Sequence, residues 1–283
     1  VVTFHPHPRQ FFSGKAISLL TPPDEKVRQL RLVGLEQLVI LPFNRELADL
    51  SHQEFVKKIL LQHLKAKRVS VGEDFCFGRG RSGTSADLQA IAAQYGVEVI
   101  IVPNQNSSGE RISSSIIRQA LQAGEIDRAN SLLGRPYTLT GVVEKGQQLG
   151  RKLGFPTANL QLPPAKLLPR YGVYAVRVSL ELEGYEQGTE NWGQGRIQGP
   201  IPNPQSPILI PGVMNVGCRP TVNGTSPTVE VHLLDWSGDL YGKRLTVSLE
   251  KFLRSEQKFD SLEALKAQIQ ADCATAKAIL DRK

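Results

Sequence analysis

SLLGRPYTLTGVVEKG, residues 131–146, contains the change of texture that decides the fold. Before it, ISSSIIRQALQAGEIDRANSLLG is amphipathic at helical spacing and ends on Gly134, a residue suited to a left-handed helix C-cap. After Pro136 the pattern becomes YTLTGVVEKG, YGVYAVRVSLELEG, ILIPGVMNVG, TVEVHLLD and KRLTVSLEKF. These short β-rich runs, separated by Gly and Pro turns, have the spacing of an all-β barrel or sandwich. Asp260 or Ser261 then caps an amphipathic helix over 261–280 that would pack on it. Within the β-rich half, the Gly-, Pro-, Asn- and Gln-rich stretch 184–207 has little apolar content and is expected to be a mobile loop insertion.

Upstream, apolar and amphipathic runs alternate. VVTF, QLVILPF, RVSV and VEVIIVP read as strands, and DEKVRQLRL, SHQEFVKKILLQHL and SADLQAIAAQY as helices. Ser51 and Glu54 stand at capping-box spacing. Strands and helices alternating at this pitch predict a parallel sheet wrapped by helices, with ligands at the carboxyl ends of the strands. The 283 residues are therefore read as two domains, since one domain usually takes roughly 100–200 residues.

Composition narrows the function. No apolar run approaches the roughly 20 residues of a membrane-spanning helix, so no membrane association is expected. VVTFHPHP lacks the basic start and apolar stretch of a secretory signal, which points to the cytoplasm. Cys76, Cys218 and Cys273 lie far apart without CxxC spacing, so neither a disulfide framework nor a zinc site is expected. A net charge of +7 suits nucleic acid or phosphorylated small molecules. The basic residues are spread along the chain without aromatic interleaving, so small molecules are preferred and no nucleic-acid partner is expected.

In KGQQLGRKLGFPTANL, Lys145–Leu160, glycines allow backbone N–H groups to approach phosphate oxygens, while Lys145, Arg151 and Lys152 add positive charge. A solvated hairpin with incidental charge is the alternative. Thr157 and Asn159, two apart in an extended segment, project a hydroxyl and an amide oxygen to one face. They could ligate Mg²⁺ beside a phosphate, or simply bond to backbone at a turn. In PTVEVHLLD, Glu230 and His232 share the face opposite Val229, Val231 and Leu233. That face is either solvated or, if it looks into a pocket, supplies a carboxylate to accept a hydroxyl proton during phosphoryl transfer.

GRKLGFPTANL, LPRYGVYAV, GVMNVGCRPTV, VEVHLLD with DLYGK, and FLRSEQKFDSLEALKAQI, in this order, resemble the riboflavin kinase module across 136–283. The resemblance implies a six-stranded β-barrel with a C-terminal helix that transfers the γ-phosphate of ATP to the 5′-hydroxyl of riboflavin. It implies Thr157 and Asn159 as ligands of Mg²⁺ and nucleotide, and Glu230 as general base. Gly146, Gly150, Arg151 and Gly154 would lie against the ATP phosphates, Arg254 near the flavin, and Phe252 or Phe259 over its ring. Hydroxyl, amide and carboxylate would converge within the closing barrel.

In the first half, Ser113, Ser114 and Ser115 open a helix with Arg118 one turn on, either an anion site or a plain N-cap with a surface arginine. TFHPHP, VGEDFCFGRGRSGT and ISSSIIR together resemble the FMN adenylyltransferase module of the bifunctional flavin synthases. The match implies Asp74, Ser114, Ser115 and Arg118 as nucleotide-binding residues. The family's GxFDGxHxGH segment would precede TFHPHP, and His5 and His7 do not replace its histidines. Adenylylation is accordingly expected to be impaired in a chain that begins at VVTF.

The expectation is thus α/β plus all-β: a Rossmann-like nucleotidyltransferase domain over 1–122, N-terminally incomplete, a linker helix over 123–135, and a kinase barrel over 136–283. Its substrates would be riboflavin, FMN and ATP, with Mg²⁺. The rival reading is a non-catalytic flavin- or nucleotide-binding regulatory protein.

Overall fold

The structure, a computed structural model, describes residues 1–107, 109–146, 150, 153–180, 209–221 and 224–282. The loop insertion expected at 184–207 lies outside them. Among the described residues the chain divides into two compact units, one of Val1–Ile17 with Glu36–Ile112, the other of Ser18–Leu35 with 113–180 and 209–282. The division therefore falls at 112/113, where 122/123 was expected, and the second unit also recruits 18–35.

In the first unit β1 (Val2–His5) is followed by α1 (Pro8–Ser13). Strand β1 pairs in parallel with β2 (Val39–Pro42), and β3 (Arg68–Gly72) pairs in parallel with β6 (Glu98–Val102). The parallel pairing expected from the alternation is present as two two-stranded ladders. Two short antiparallel pairs accompany them, β4 (Cys76–Phe77) with β5 (Gly83–Thr84) and β7 (Asn106–Ser107) with β8 (Glu110–Arg111). After α3 (Arg45–Ala48), the capping box opens α4 (His52–Glu54): Ser51 Oγ accepts from the Glu54 N–H, and the Glu54 carboxylate accepts from the Ser51 N–H at 3.0 Å. The helix continues as a π-helix over Phe55–His63. Its Phe55 and Val56 join Phe77, Val99 and, from α5 (Ser85–Ala93), Leu88 and Ala92 in one core.

The second unit is built on a closed antiparallel barrel. Its strands are β9 (Tyr137–Glu144), β10 (Ala158–Gln161), β11 (Gly172–Leu180), β12 (Leu209–Thr221), β13 (Gly224–Leu233) and β14 (Arg244–Arg254), in the spatial order β10-β13-β12-β11-β14-β9. Every second residue faces inward, so Leu139, Leu160, Val176, Met214, Val231 and Val247 fill the interior.

The stretch 112–134 read as one helix is two, α6 (Ser114–Ala123) and α7 (Ile126–Leu133). Gly124 breaks it with a φ of 81° and returns its N–H to Ala120 and Leu121, a left-handed C-cap that a side chain would strain. Ile117 and Leu121 of α6 and Ile126 and Leu132 of α7 enter the barrel core, so α6 packs with the barrel. On the outer face of β11 and β12, Val173, Ala175 and Val213 pack against Ala276 and Leu280 of α8 (Leu262–Leu280). Ser261 caps α8, accepting from the Ala264 N–H at 3.1 Å.

Segment 18–35 is tied in by α2 (Pro23–Leu32). Its Glu25 forms an ion pair with Lys166 in which the side chains are 7% and 1% exposed. Lys166 also donates to the Leu20 carbonyl at 2.9 Å and lies 4.4 Å from the Tyr137 ring centre. Glu25 accepts from the Thr140 N–H. Burial raises the Glu25 carboxyl above the ordinary carboxylate range and pushes Lys166 down to about 8.

Candidate active site

The polar residues of the kinase motifs gather on the outer face of the barrel. Ala158, Leu160, Val229, Val231, Met214 and Val216 belong to the interior, so the alternating Asn159, Glu230 and Asn215 face outward. Registration sets them side by side: Glu144 opposite Asn159, Asn159 opposite Glu230, Glu230 opposite Asn215. Directly opposed residues share a face with Cβ atoms about 5 Å apart. Four strands therefore present a row of carboxylate, amide, carboxylate and amide. The expected position within the barrel is corrected by this geometry, because apolar side chains occupy the interior.

Gly146 and Gly150 of the glycine-rich run lie close to Asn159 and Thr157. A Cβ on Gly146 would stand 2.7 Å from Asn159 Oδ1, and one on Gly150 would stand 3.3 Å from Thr157 Oγ1, while the Phe155 N–H donates to the Gly150 carbonyl at 2.8 Å. Glycine is required here by close approach: a side chain at 146 would displace the Asn159 amide, and one at 150 would collide with the Phe155 carbonyl and crowd the Thr157 hydroxyl. Gly154 adopts a φ of 88° with open space around it. Arg151 and Lys152 lie outside the described residues.

His232, two residues beyond Glu230, is turned to support. Its Nδ1–H donates to the Pro156 carbonyl at 2.8 Å, and its ring meets Phe155 edge-on, bracing the turn that carries Thr157. Beside Thr157 opens a cleft of about 560 Å³, whose walls include Val143, Pro156, Leu233, Trp236, Asp239 and Tyr241. That volume is in the range of small-ligand pockets. Lys145 lies 5.8 Å from the Tyr241 ring centre.

Arg254 is clamped by α8. Its Nε and Nη2 donate to the buried Asp272 carboxylate at distances from 2.7 to 3.1 Å, and its guanidinium lies 5.8 Å from the Phe259 ring centre. Phe252 packs edge-on against core Tyr174, so Phe259 is the aromatic residue beside Arg254. Burial, with a contribution from Asp272, raises the neighbouring Cys273 thiol to about 11, leaving it a poor nucleophile.

The adenylyltransferase residues divide between the units. In the first, Asp74 is exposed and paired with Arg111 at 2.7 Å, and Arg111 also donates to Asn104 Oδ1. In the second, Ser113 caps α6 by accepting from the Ile116 N–H, Ser114 and Ser115 are exposed in the first turn, and Arg118 donates to the Ser18 carbonyl.

Asn215 was missed by sequence reasoning, since GVMNVG marks it only as a polar residue in a strand. Its importance comes from lying opposite Glu230.

A riboflavin kinase profile matches residues 133–280 and an FAD synthetase profile matches 1–116. The bifunctional riboflavin kinase/FMN adenylyltransferase of Escherichia coli (strain K12) is 40% identical over 278 residues, covering 98% of this chain and 81% of that protein. This chain belongs to the bifunctional riboflavin kinase/FMN adenylyltransferase family. The Pseudomonas fluorescens member is 40% identical over 280 residues, covering 99% and 82% of the two chains, and that of Bacillus subtilis 33% over 281, covering 96% and 79%. A crystal structure described as a macrolide-efflux protein from Streptococcus pneumoniae superimposes with a TM-score of 0.79 at 30% identity, covering 98% of this chain and 82% of that one. Among the described residues no helix is long and apolar enough to cross a membrane.

As a member of this bifunctional family, the protein is an enzyme with two activities, phosphorylation of riboflavin to FMN and adenylylation of FMN to FAD, with ATP as co-substrate. The non-catalytic reading has no support among these relatives.

Proposed function

We infer that riboflavin is phosphorylated on the outer face of the barrel, at the row carrying Asn159 and Glu230. The observation that carries this reading is their direct cross-strand pairing, with Gly146 pressed against the amide. Glu230 accepts the proton of the riboflavin 5′-hydroxyl as its oxygen attacks the γ-phosphorus of ATP. The bond from that phosphorus to the bridging oxygen breaks, and ADP leaves. The cleft beside Thr157 receives the nucleotide, with Gly146, Gly150 and Gly154 toward its phosphates; Arg151, outside the described residues, is assigned to the same phosphates by its motif alone.

The residues suit Mg²⁺. Thr157 Oγ1 and Asn159 Oδ1 are hard neutral oxygens under a backbone that leaves no room for a Cβ. Among the described residues no cluster of three or more His, Cys, Asp or Glu side chains forms an all-protein cage. Mg²⁺ characteristically takes a few protein oxygens and completes its shell with water and phosphate. When bound there, the ion neutralises charge on the transferring phosphate. Arg254, held rigid by Asp272, borders the flavin, with Phe259 beside it.

For adenylylation, Ser114, Ser115 and Arg118 at the start of α6 are the nucleotide-binding residues of the second unit and Asp74 is that of the first; the exposed serines and free N–H groups of a helix start favour phosphate. Three free thiols favour the reducing cytoplasm as the compartment.

The test incubates the chain with MgATP and riboflavin or FMN and separates FMN from FAD by chromatography. Glu230→Gln should abolish FMN formation while riboflavin binding, read by flavin fluorescence, persists. Full turnover in that variant would remove Glu230 from the chemistry.

A further inference from the structure

The row does not stop at Asn215. Two residues further along β12, on the same outward face, stands Gly217. A Cβ there would come within 3.1 Å of Glu256 Cδ and 3.2 Å of Asn215 Nδ2, and would collide outright with Glu256 Oε1. The Glu256 carboxylate thus lies against the strand backbone, next to the Asn215 amide, in space that any other residue at 217 would fill. Its approach is set from behind: Arg254, two residues earlier, is fixed by the two-pronged grip of Asp272, and its Nη1 donates to the Ser255 carbonyl at 3.1 Å. Glu256 is nonetheless exposed, so its carboxylate remains accessible to a ligand.

From the proposed proton acceptor outward, the face therefore offers a carboxylate at 230, an amide at 215 and a carboxylate at 256. An amide both donates and accepts hydrogen bonds, a carboxylate accepts, and a hydroxyl can satisfy either. A run of adjacent groups, the first two about 5 Å apart across the strands and the third beside the second at Gly217, starting at the group that takes a proton from a terminal hydroxyl, complements a chain bearing several hydroxyls. We propose that Asn215 and Glu256 bind the secondary hydroxyls of the ribityl chain and so deliver the terminal hydroxyl to Glu230, making them specificity residues of the kinase. This assignment rests on the reading of the Glu230 face as the kinase site.

The test uses the full chain with MgATP and two substrates, riboflavin and its 2′,3′,4′-trideoxy analogue, which keeps the reacting 5′-hydroxyl. The wild-type protein should prefer riboflavin in kcat/KM by about a hundredfold, on the order of tenfold for each of the two side chains, Asn215 and Glu256, left without a partner. Asn215→Leu and Glu256→Ala should each lose about tenfold with riboflavin and almost nothing with the analogue, narrowing the preference. Equal losses on both substrates, or a wild type that does not distinguish them, would overturn the proposal. If Asn215→Leu fails to fold, as judged by thermal unfolding, Glu256→Ala at its exposed position decides the matter alone. Glu230→Gln in parallel separates the two levels. Loss of turnover on both substrates leaves the kinase-site reading intact while the preference judges Asn215 and Glu256. Retained turnover would remove the foundation of both.

Discussion

Two sets of charged side chains in the barrel unit use the same chemistry for opposite ends. Along the outer row, Glu230 is flanked by the amides of Asn159 and Asn215 and stays within reach of solvent. Behind β9, Glu25 and Lys166 are sealed together, with the Tyr137 ring over the ammonium and backbone groups completing their hydrogen bonds. Burial makes the difference. The carboxylate proposed to take a proton from substrate is kept at a surface beside neutral amides, whereas the one that joins segments remote in sequence is desolvated and matched with an ammonium. A buried pair contributes little net stability over an apolar replacement, yet losing one partner leaves the other charge uncompensated.

The largest test of this contrast is Glu230→Gln, which should lower kcat for FMN formation by about 10²–10⁴-fold, the usual contribution of a positioned base. Its unfolding free energy should stay within about 0.5 kcal/mol of wild type, as at other surface positions. Lys166→Met should do the reverse, with a loss of about 3–5 kcal/mol in urea unfolding and little change in kcat of the folded fraction. Pairing it with Glu25→Leu should recover most of that loss; a double variant as unstable as the single one would mean that the charge pair is not the source.

A smaller effect is expected where the loop meets the row. Gly146→Ala places a methyl group against the Asn159 amide and should reduce kcat/KM for MgATP by about tenfold, the equivalent of about 1.4 kcal/mol, with riboflavin binding unchanged. Weakened riboflavin binding with normal use of MgATP would detach this glycine from the phosphate side.

The smallest effect is a slope with pH. Desolvation drives Lys166 down to about 8 against the opposing pull of Glu25, with Arg135 adding to the depression. The unfolded chain keeps that proton to about 10.4, so between about pH 8 and 10 it binds more protons than the folded chain, and stability rises with pH. Glu25, raised by burial, has the opposite sign: its stabilisation is present at acid pH and is lost as pH rises through its folded value. Urea unfolding of wild type relative to Lys166→Met should therefore show a rising difference from pH 8 to 9.5. A flat difference would mean that the ammonium is better solvated than its burial implies.

Local period made part of this legible in advance. Alternation within PTVEVHLLD placed Glu230 and His232 on one face, and Thr157-Ala158-Asn159 carried its oxygens at a spacing that strand geometry converts directly into direction. The capping box at Ser51 and Glu54 was readable because its bonds span three residues. Gly124 sat inside an apparently continuous amphipathic pattern, which hid the break between α6 and α7. Segment 18–35 was assigned to the first half because DEKVRQLRL fits the alternation of strands and amphipathic helices there. Nothing local shows that Glu25 will meet an ammonium 141 residues away.

From its sequence alone this protein determined the order of its elements, the two faces of the strand carrying Glu230, and its membership of a flavin-synthesising family. Those depend on local periodicity and on motifs of contiguous residues. Tertiary structure decided that Asn159, Glu230 and Asn215 line up on the outer face of the barrel, that Glu256 lies beside Asn215, and that α2 belongs to the barrel unit. Strand register and burial bring together residues separated by tens to hundreds of positions, and no local pattern encodes that distance.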